Sequence, residues 1–196
     1  MWALEWPGWC RSGPDQPSAV EALRSIRGRY ADVARMAGYE FAREDGELVT
    51  VTRVQGGTAT DFGVPSVITD DDRAGVTASD ATKLAALVAA SWSVFDKAAE
   101  AAPEDLRKGP RGGGRDTSKI ISHVAEADQA YSREIGIKLK APVSAADVRT
   151  SILEILRLPG DGSPLAGRKW PRRFAARRVA WHALDHAWEI EDRTPR

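Results

Sequence analysis

Apolar positions recur along this chain with two different periods, and the change between them divides it. From Ser18 onward Val20, Leu23, Ile26, Tyr30 and Val33 return at helical spacing, with Ser18 and Glu21 placed to cap the start and Gly38 to end it. Met1 to Glu5 reads as a short strand stopped by Pro7-Gly8, and Leu48 to Val54 alternates with period two as a half-buried strand does. After Gly75 the pattern becomes that of long amphipathic helices. Thr77-Ala78-Ser79-Asp80 is a capping-box pattern ahead of Leu84, Leu87, Val88, Phe95 and Ala98, with Pro103 closing the helix. Asp116 or Thr117 caps a second helix carrying Ile120, Val124, Ala127, Tyr131 and Ile135. Ser144 to Asp147 boxes a third with Val148, Ile152, Ile155 and Leu156, and Pro159-Gly160 stops it. Pro171 suits the first turn of a fourth, running to about Arg193.

These elements predict a mainly α protein: a small α+β unit over residues 1–56, a connector over 57–75 and a four-helix bundle over 76–196. The connector is marked by glycines, Pro65 and the acidic run Asp70 to Asp72. Trp2, Trp6 and Trp9 fall within eight residues. Each can bury on the order of 200 Å², so the N-terminal unit is expected to pack on the bundle or on a second copy of the chain. If it covers the bundle's site it helps select substrate; if it sits remote, its role is assembly.

Charge narrows the function classes. Lys plus Arg and Asp plus Glu balance at 28 each, giving no electrostatic reason to expect nucleic acid as a partner. Arg168 to Arg178 concentrates six basic residues, either a solvated helix start or a binding patch. No apolar run approaches the ~18 residues of a membrane span, and Met1 to Cys10 lacks the features of a signal peptide. A single cysteine forms no internal disulfide, and the expected location is cytoplasmic. Cys10 is either a packed turn residue or a reactive thiol.

The N-terminal segment resembles the HicB-like antitoxin fold in Trp6-Pro7-Gly8-Trp9-Cys10 and Glu21-Ala22-Leu23. The resemblance implies a small sheet with a helix. No helix-turn-helix accompanies it, so antitoxin or repressor function does not carry over.

The chemistry concentrates in three histidines, all in the bundle region. His182 and His186 stand four residues apart, one turn along one helix face, close enough to share a metal. Their stripe includes Ala175, Val179 and Ile190, which turns it inward; His123 is likewise flanked at helical spacing by Ile120 and Ala127. Bundle cores build metal sites from side chains on facing helices. Without a metal, three buried imidazoles need hydrogen-bond partners that these faces barely supply.

The bundle, the paired histidines on its last helix and the single histidine on its second closely resemble the DinB-like (DinB/YfiT) metal-binding superfamily over about residues 76–193. Ile121 to Asp128 and His182 to Glu189 are the segments that match. The resemblance implies that His123, His182 and His186 bind one divalent ion. Some branches of that superfamily are S-transferases or isomerases acting with a low-molecular-weight thiol such as mycothiol or bacillithiol, and many have no known activity. The resemblance alone does not settle the function; the expectation is a metal-dependent enzyme activating such a thiol or water for transfer or hydrolysis. The alternative is a non-enzymatic, metal-stabilised bundle whose N-terminal unit mediates protein association, as a homodimer for example.

Three neutral ligands leave coordination positions open, the pattern of a catalytic site. Such an ion lowers the pKa of bound water or receives a thiolate. Imidazole accepts zinc, nickel, copper and iron, with zinc and nickel the expected ions. Glu189, one turn beyond the pair, is a fourth ligand, a general base or an orienting partner of His186; Asp185 and Glu126 are further candidate partners. Arg111 and Arg115 flank Gly112 to Gly114 before the His123 helix, where a loop can receive the anionic group of a cofactor or small-molecule substrate, or simply connect. Trp181 and Trp188 either wall the site or belong to the core.

Overall fold

The structure is a computed structural model, and it describes residues 1–41, 48–61, 63–108, 114 and 116–195. Its α-helices are α1 (Gln16–Ser25), α2 (Arg27–Met36), α3 (Thr58–Asp61), α4 (Ala78–Ala101), α5 (Thr117–Glu134), α6 (Ala145–Leu156) and α7 (Arg172–Arg193). Short 3-10 turns stand at Asp71–Arg73 and Leu165–Gly167.

Local chemistry sets most of the boundaries. Both expected capping boxes form: Thr77 with Asp80 opens α4, and Ser144 with Asp147 opens α6. Asp116 occupies the N-cap position of α5, and Pro171 that of α7. The first helix differs at its start. Its cap is Asp15, whose carboxylate accepts from the Ser18 backbone N–H at 2.9 Å, because Pro17 already fits the first turn. Ile26 interrupts the run, so one expected helix becomes α1 and α2. Gly38, at φ 83°, ends α2 with Gly38 N donating to Arg35 O and Tyr39 N to Ala34 O. That pair of bonds is a Schellman stop, and it needs a residue free to turn left-handed.

The expected α+β character of residues 1–56 is not found. Among the described residues there is no sheet; Trp2 and Cys10 form a single antiparallel bridge across the Pro7-Gly8 turn. Residues 48–54 carry no ladder, and Val49 and Val51 stand 71% and 66% exposed. A strand is stable only when its backbone groups meet a neighbour and one face is covered. Neither condition holds for Leu48 to Val54, so its alternation comes to nothing.

The four long helices pack as a helical bundle. α7 lies most extensively against α4 and also meets α5, while α6 packs on α4 and α5. Their core includes Leu84, Val88, Phe95, Ile120, Val124, Ile152, Leu156, Val179 and Ile190. A second core joins the N-terminal helices to this bundle: Trp9, Leu23, Ile26, Tyr30 and Val33 bury against Ala90, Leu184 and Trp188. Trp9 Nε1 donates to Leu23 O at 3.0 Å and the Tyr30 hydroxyl to Pro7 O at 2.7 Å, so the polar tips of both rings are satisfied in the interior. Gly8, at φ 93°, lets the turn sit on α7; a Cβ there would come within 2.7 Å of Leu184 Cδ1.

Helix α7 is therefore covered on nearly every side, which explains why its buried residues are not confined to one stripe. Of the basic cluster, Arg168 and Lys169 are exposed before the helix, but the arginines on α7 itself do not form a solvated face. Arg177 is buried, pairs with buried Asp72 at 2.6 Å, and donates to Pro65 O and Val67 O at 2.9 and 3.1 Å. Thr69 donates to the same carboxylate through its N–H and hydroxyl. Arg172 donates to Ile155 O, and Arg173 lies within ion-pair distance of Glu5 and Asp80. Residues 65–76 are thus tied down on α7. Among the described residues, no helix is long and apolar enough to cross a membrane.

Candidate metal centre

The packing of α5 on α7 brings the three histidines together. His182 and His186 are buried on α7, and His123 is half-buried on α5. One ligand atom from each lies within 4.8 Å of the others. The His123 and His182 Nε2 atoms are 3.2 Å apart. The ring centroids form a nearly equilateral triangle of 5.0, 5.0 and 4.7 Å, with the rings inclined at 61° to 88°. Three imidazoles bound to one tetrahedral ion at ~2.0–2.1 Å place their donor nitrogens roughly 3.3 Å apart and their centroids roughly 5 Å apart. The residues present fit a metal ion: one ligand nitrogen from each lies close enough to the others to hold one.

Glu189 completes the arrangement. His186 Nδ1 lies 2.8 Å from Glu189 Oε2, and Arg193 donates to Glu189 Oε1 at 2.8 Å. The hydrogen bond from His186 outweighs the opposing effect of burial and holds the Glu189 carboxyl below its ordinary range. An ionised carboxylate on Nδ1 keeps the proton there and leaves Nε2 free as a ligand, the orienting arrangement typical of metal-bound histidine. Both oxygens of Glu189 are engaged in this way.

The other candidates separate. Glu126 is exposed, on the lip of a shallow depression of about 280 Å³ lined also by Ser118, Lys119, Ser122 and His123, which gives the triad a side open to solvent. Asp185 faces the N-terminal segment, 3.7 Å from Arg11, and burial raises its pKa. Trp181 flanks His182, with centroids 5.9 Å apart. Trp188 does not wall the site; it lies in the second core with Arg11 over its ring. Cys10 is a packed turn residue whose thiol burial pushes up to about 11, far from a reactive thiolate. Arg111 and Arg115 lie outside the described residues. Gly114 of the same loop sits against the Arg193 guanidinium, at the Glu189 end of the triad.

The N-terminal segment does not cover the triad. Gly8 and Trp9 pack on Ala180, Leu184 and Trp188, which at ~100° per residue lie on the side of α7 opposite His182 and His186. Two residues near the triad were not assigned to it from the sequence: Tyr131, whose ring centroid is 5.6 Å from that of His182, and Arg178, placed only in the basic cluster and one turn before His182. Helical spacing was the available signal, since Arg178 and His182 share a face and Tyr131 is two turns beyond His123. Compared with family models, curated proteins and solved structures, the chain matches none, so the resemblances rest on the residues quoted for them.

Proposed function

We propose that the protein is a metal-dependent enzyme that holds one divalent ion, zinc or nickel, through His123, His182 and His186, and that it activates a low-molecular-weight thiol or water for transfer or hydrolysis. The observation that supports this most is the convergence of the three rings with Glu189 fixed on His186 Nδ1. A bound divalent ion supplies Lewis acidity, which lowers the pKa of a thiol or water. The chain supplies the rest. The histidines present neutral nitrogens, Glu189 and Arg193 hold the His186 ring in position, and packed apolar side chains around His182 exclude bulk water from one side. His123, half-buried beside the shallow depression, marks the route by which a small substrate reaches the site.

The DinB-like resemblance over residues 76–193 agrees with this reading. A purely structural ion is less well supported, because the bundle core is filled by apolar side chains that do not depend on the triad. The test is metal analysis of the purified protein, then cobalt substitution and titration with a simple thiol. A thiolate-to-cobalt charge-transfer band is expected for thiol activation. A cobalt protein whose spectrum responds neither to thiols nor to pH would overturn the enzymatic reading and leave the metal-stabilised bundle.

A further inference from the structure

Of the four arginines on the first turns of α7, three are accounted for by partners inside the fold and one, beside the triad, is not. Arg172, Arg173 and Arg177 each have a carbonyl or carboxylate partner. Arg178 does not pair with an acidic side chain among the described residues. Its guanidinium carbon stands 4.8 Å from the Trp181 ring centroid and 5.3 Å from that of Tyr131. Both rings in turn flank His182. Arg178 Nη1 is buried with no hydrogen-bond partner among the described residues. Tyr131 also hydrogen-bonds the guanidinium, and Arg177 and Cys10 lie near enough to act on it, but none of the three is a carboxylate. Burial, the main influence, disfavours its charge, so the guanidinium is held in an environment that an anion would relieve.

Resting on the reading above, we infer that Arg178, clamped between Tyr131 and Trp181, binds the carboxylate of the substrate or thiol whose other end is held at the histidine triad. Arg178 and His182 are one turn apart on the same face of α7, roughly 6 Å along the axis. A short ligand spans that distance: a thiol or hydroxyl at the triad and a carboxylate two or three carbons away. Guanidinium presents a planar fork of donors that matches a carboxylate, and the two rings limit its rotation, so little order is lost on binding. A neutral thiol of the same length lacks this contact. The site therefore selects small mercapto- or hydroxy-acids over the corresponding alcohols and amines.

The test compares two probes on the full-length cobalt protein: mercaptopropionate, and mercaptopropanol, which replaces the carboxylate with an alcohol. The charge-transfer band reports binding directly, without an assay of activity. Mercaptopropionate is expected to bind about 10- to 100-fold more tightly, the size of one charged hydrogen-bonded contact. Arg178→Gln should remove that preference while leaving the Kd for mercaptopropanol unchanged, and Arg178→Lys should restore only part of it. Equal affinities for the two thiols in the wild type, or a preference that survives in Arg178→Gln, would overturn the carboxylate site while thiol activation stands. If neither thiol perturbs the spectrum, the carboxylate site and thiol activation fall together, and a spectrum that still responds to pH leaves only water activation. The wild-type comparison decides the matter even if a variant fails to fold.

Discussion

Two buried or half-buried acidic residues show what single positions do here. Glu189 acts through His186: its carboxylate fixes the ring, and Arg193 fixes the carboxylate. Replacing Glu189 with Ala is expected to weaken metal binding about 10- to 100-fold, read by chelator competition, with helix content unchanged. An unchanged affinity would show that the contact does not orient the ligand. Asp72 does structural work, accepting from Arg177 and Thr69 where water is excluded. Arg177→Ala leaves that carboxylate buried and uncompensated, so a loss of about 3–5 kcal/mol in denaturant unfolding is expected. The sequence could not separate Arg177 from its exposed neighbours Arg168 and Lys169, because only the fold brings Pro65, Val67 and Asp72 against one of them.

Between helices, α5 carries a second titrating group away from the triad. Asp128 is 1% exposed, and burial raises its carboxyl to about 7 although Arg149 lies 3.4 Å away. Arg149 is also held by Asp96 at 2.8 and 2.9 Å, which divides its charge between two carboxylates. With the folded pKa above the unfolded value, the native state binds more protons between about pH 4 and pH 7. Stability from this group is therefore present on the acid side and lost as the pH rises through about 7. Asp128→Asn removes the titration, so its stability relative to wild type should increase from about pH 4 to pH 7 and level off above that in urea unfolding. A difference that is flat with pH would show that Asp128 does not titrate in this range.

Across the molecule, the N-terminal helices and the bundle share a hydrophobic core through Trp9, Tyr30, Leu184 and Trp188. Protease should cut first in exposed residues 49–57, and the nicked fragments should remain associated under native conditions. Release of a freely tumbling N-terminal fragment would contradict the docking. Trp9→Ala should cost about 3–5 kcal/mol. His182→Ala, by contrast, should abolish metal binding while leaving cooperative unfolding intact, since the apolar core does not include the triad. Loss of cooperativity in that variant would mark the ion as structural.

By itself the sequence determined the long helices and the histidine set. Capping boxes at Thr77 and Ser144, the prolines at 103 and 171, and helical stripes such as Leu84 to Phe95 act within a turn or two, so nearby residues suffice to place them. His182 and His186 were legible for the same reason: four residues on one helix face is a local distance. The tertiary structure decided whatever depends on a partner remote in the chain. Leu48 to Val54 alternates as a strand does, but alternation cannot supply the neighbour whose backbone completes a ladder. The distance from His123 to the α7 pair, the burial of Arg177 and the place of Arg178 beside Tyr131 follow from how α5 and α7 meet, which depends on the packing of both whole helices and not on any local motif.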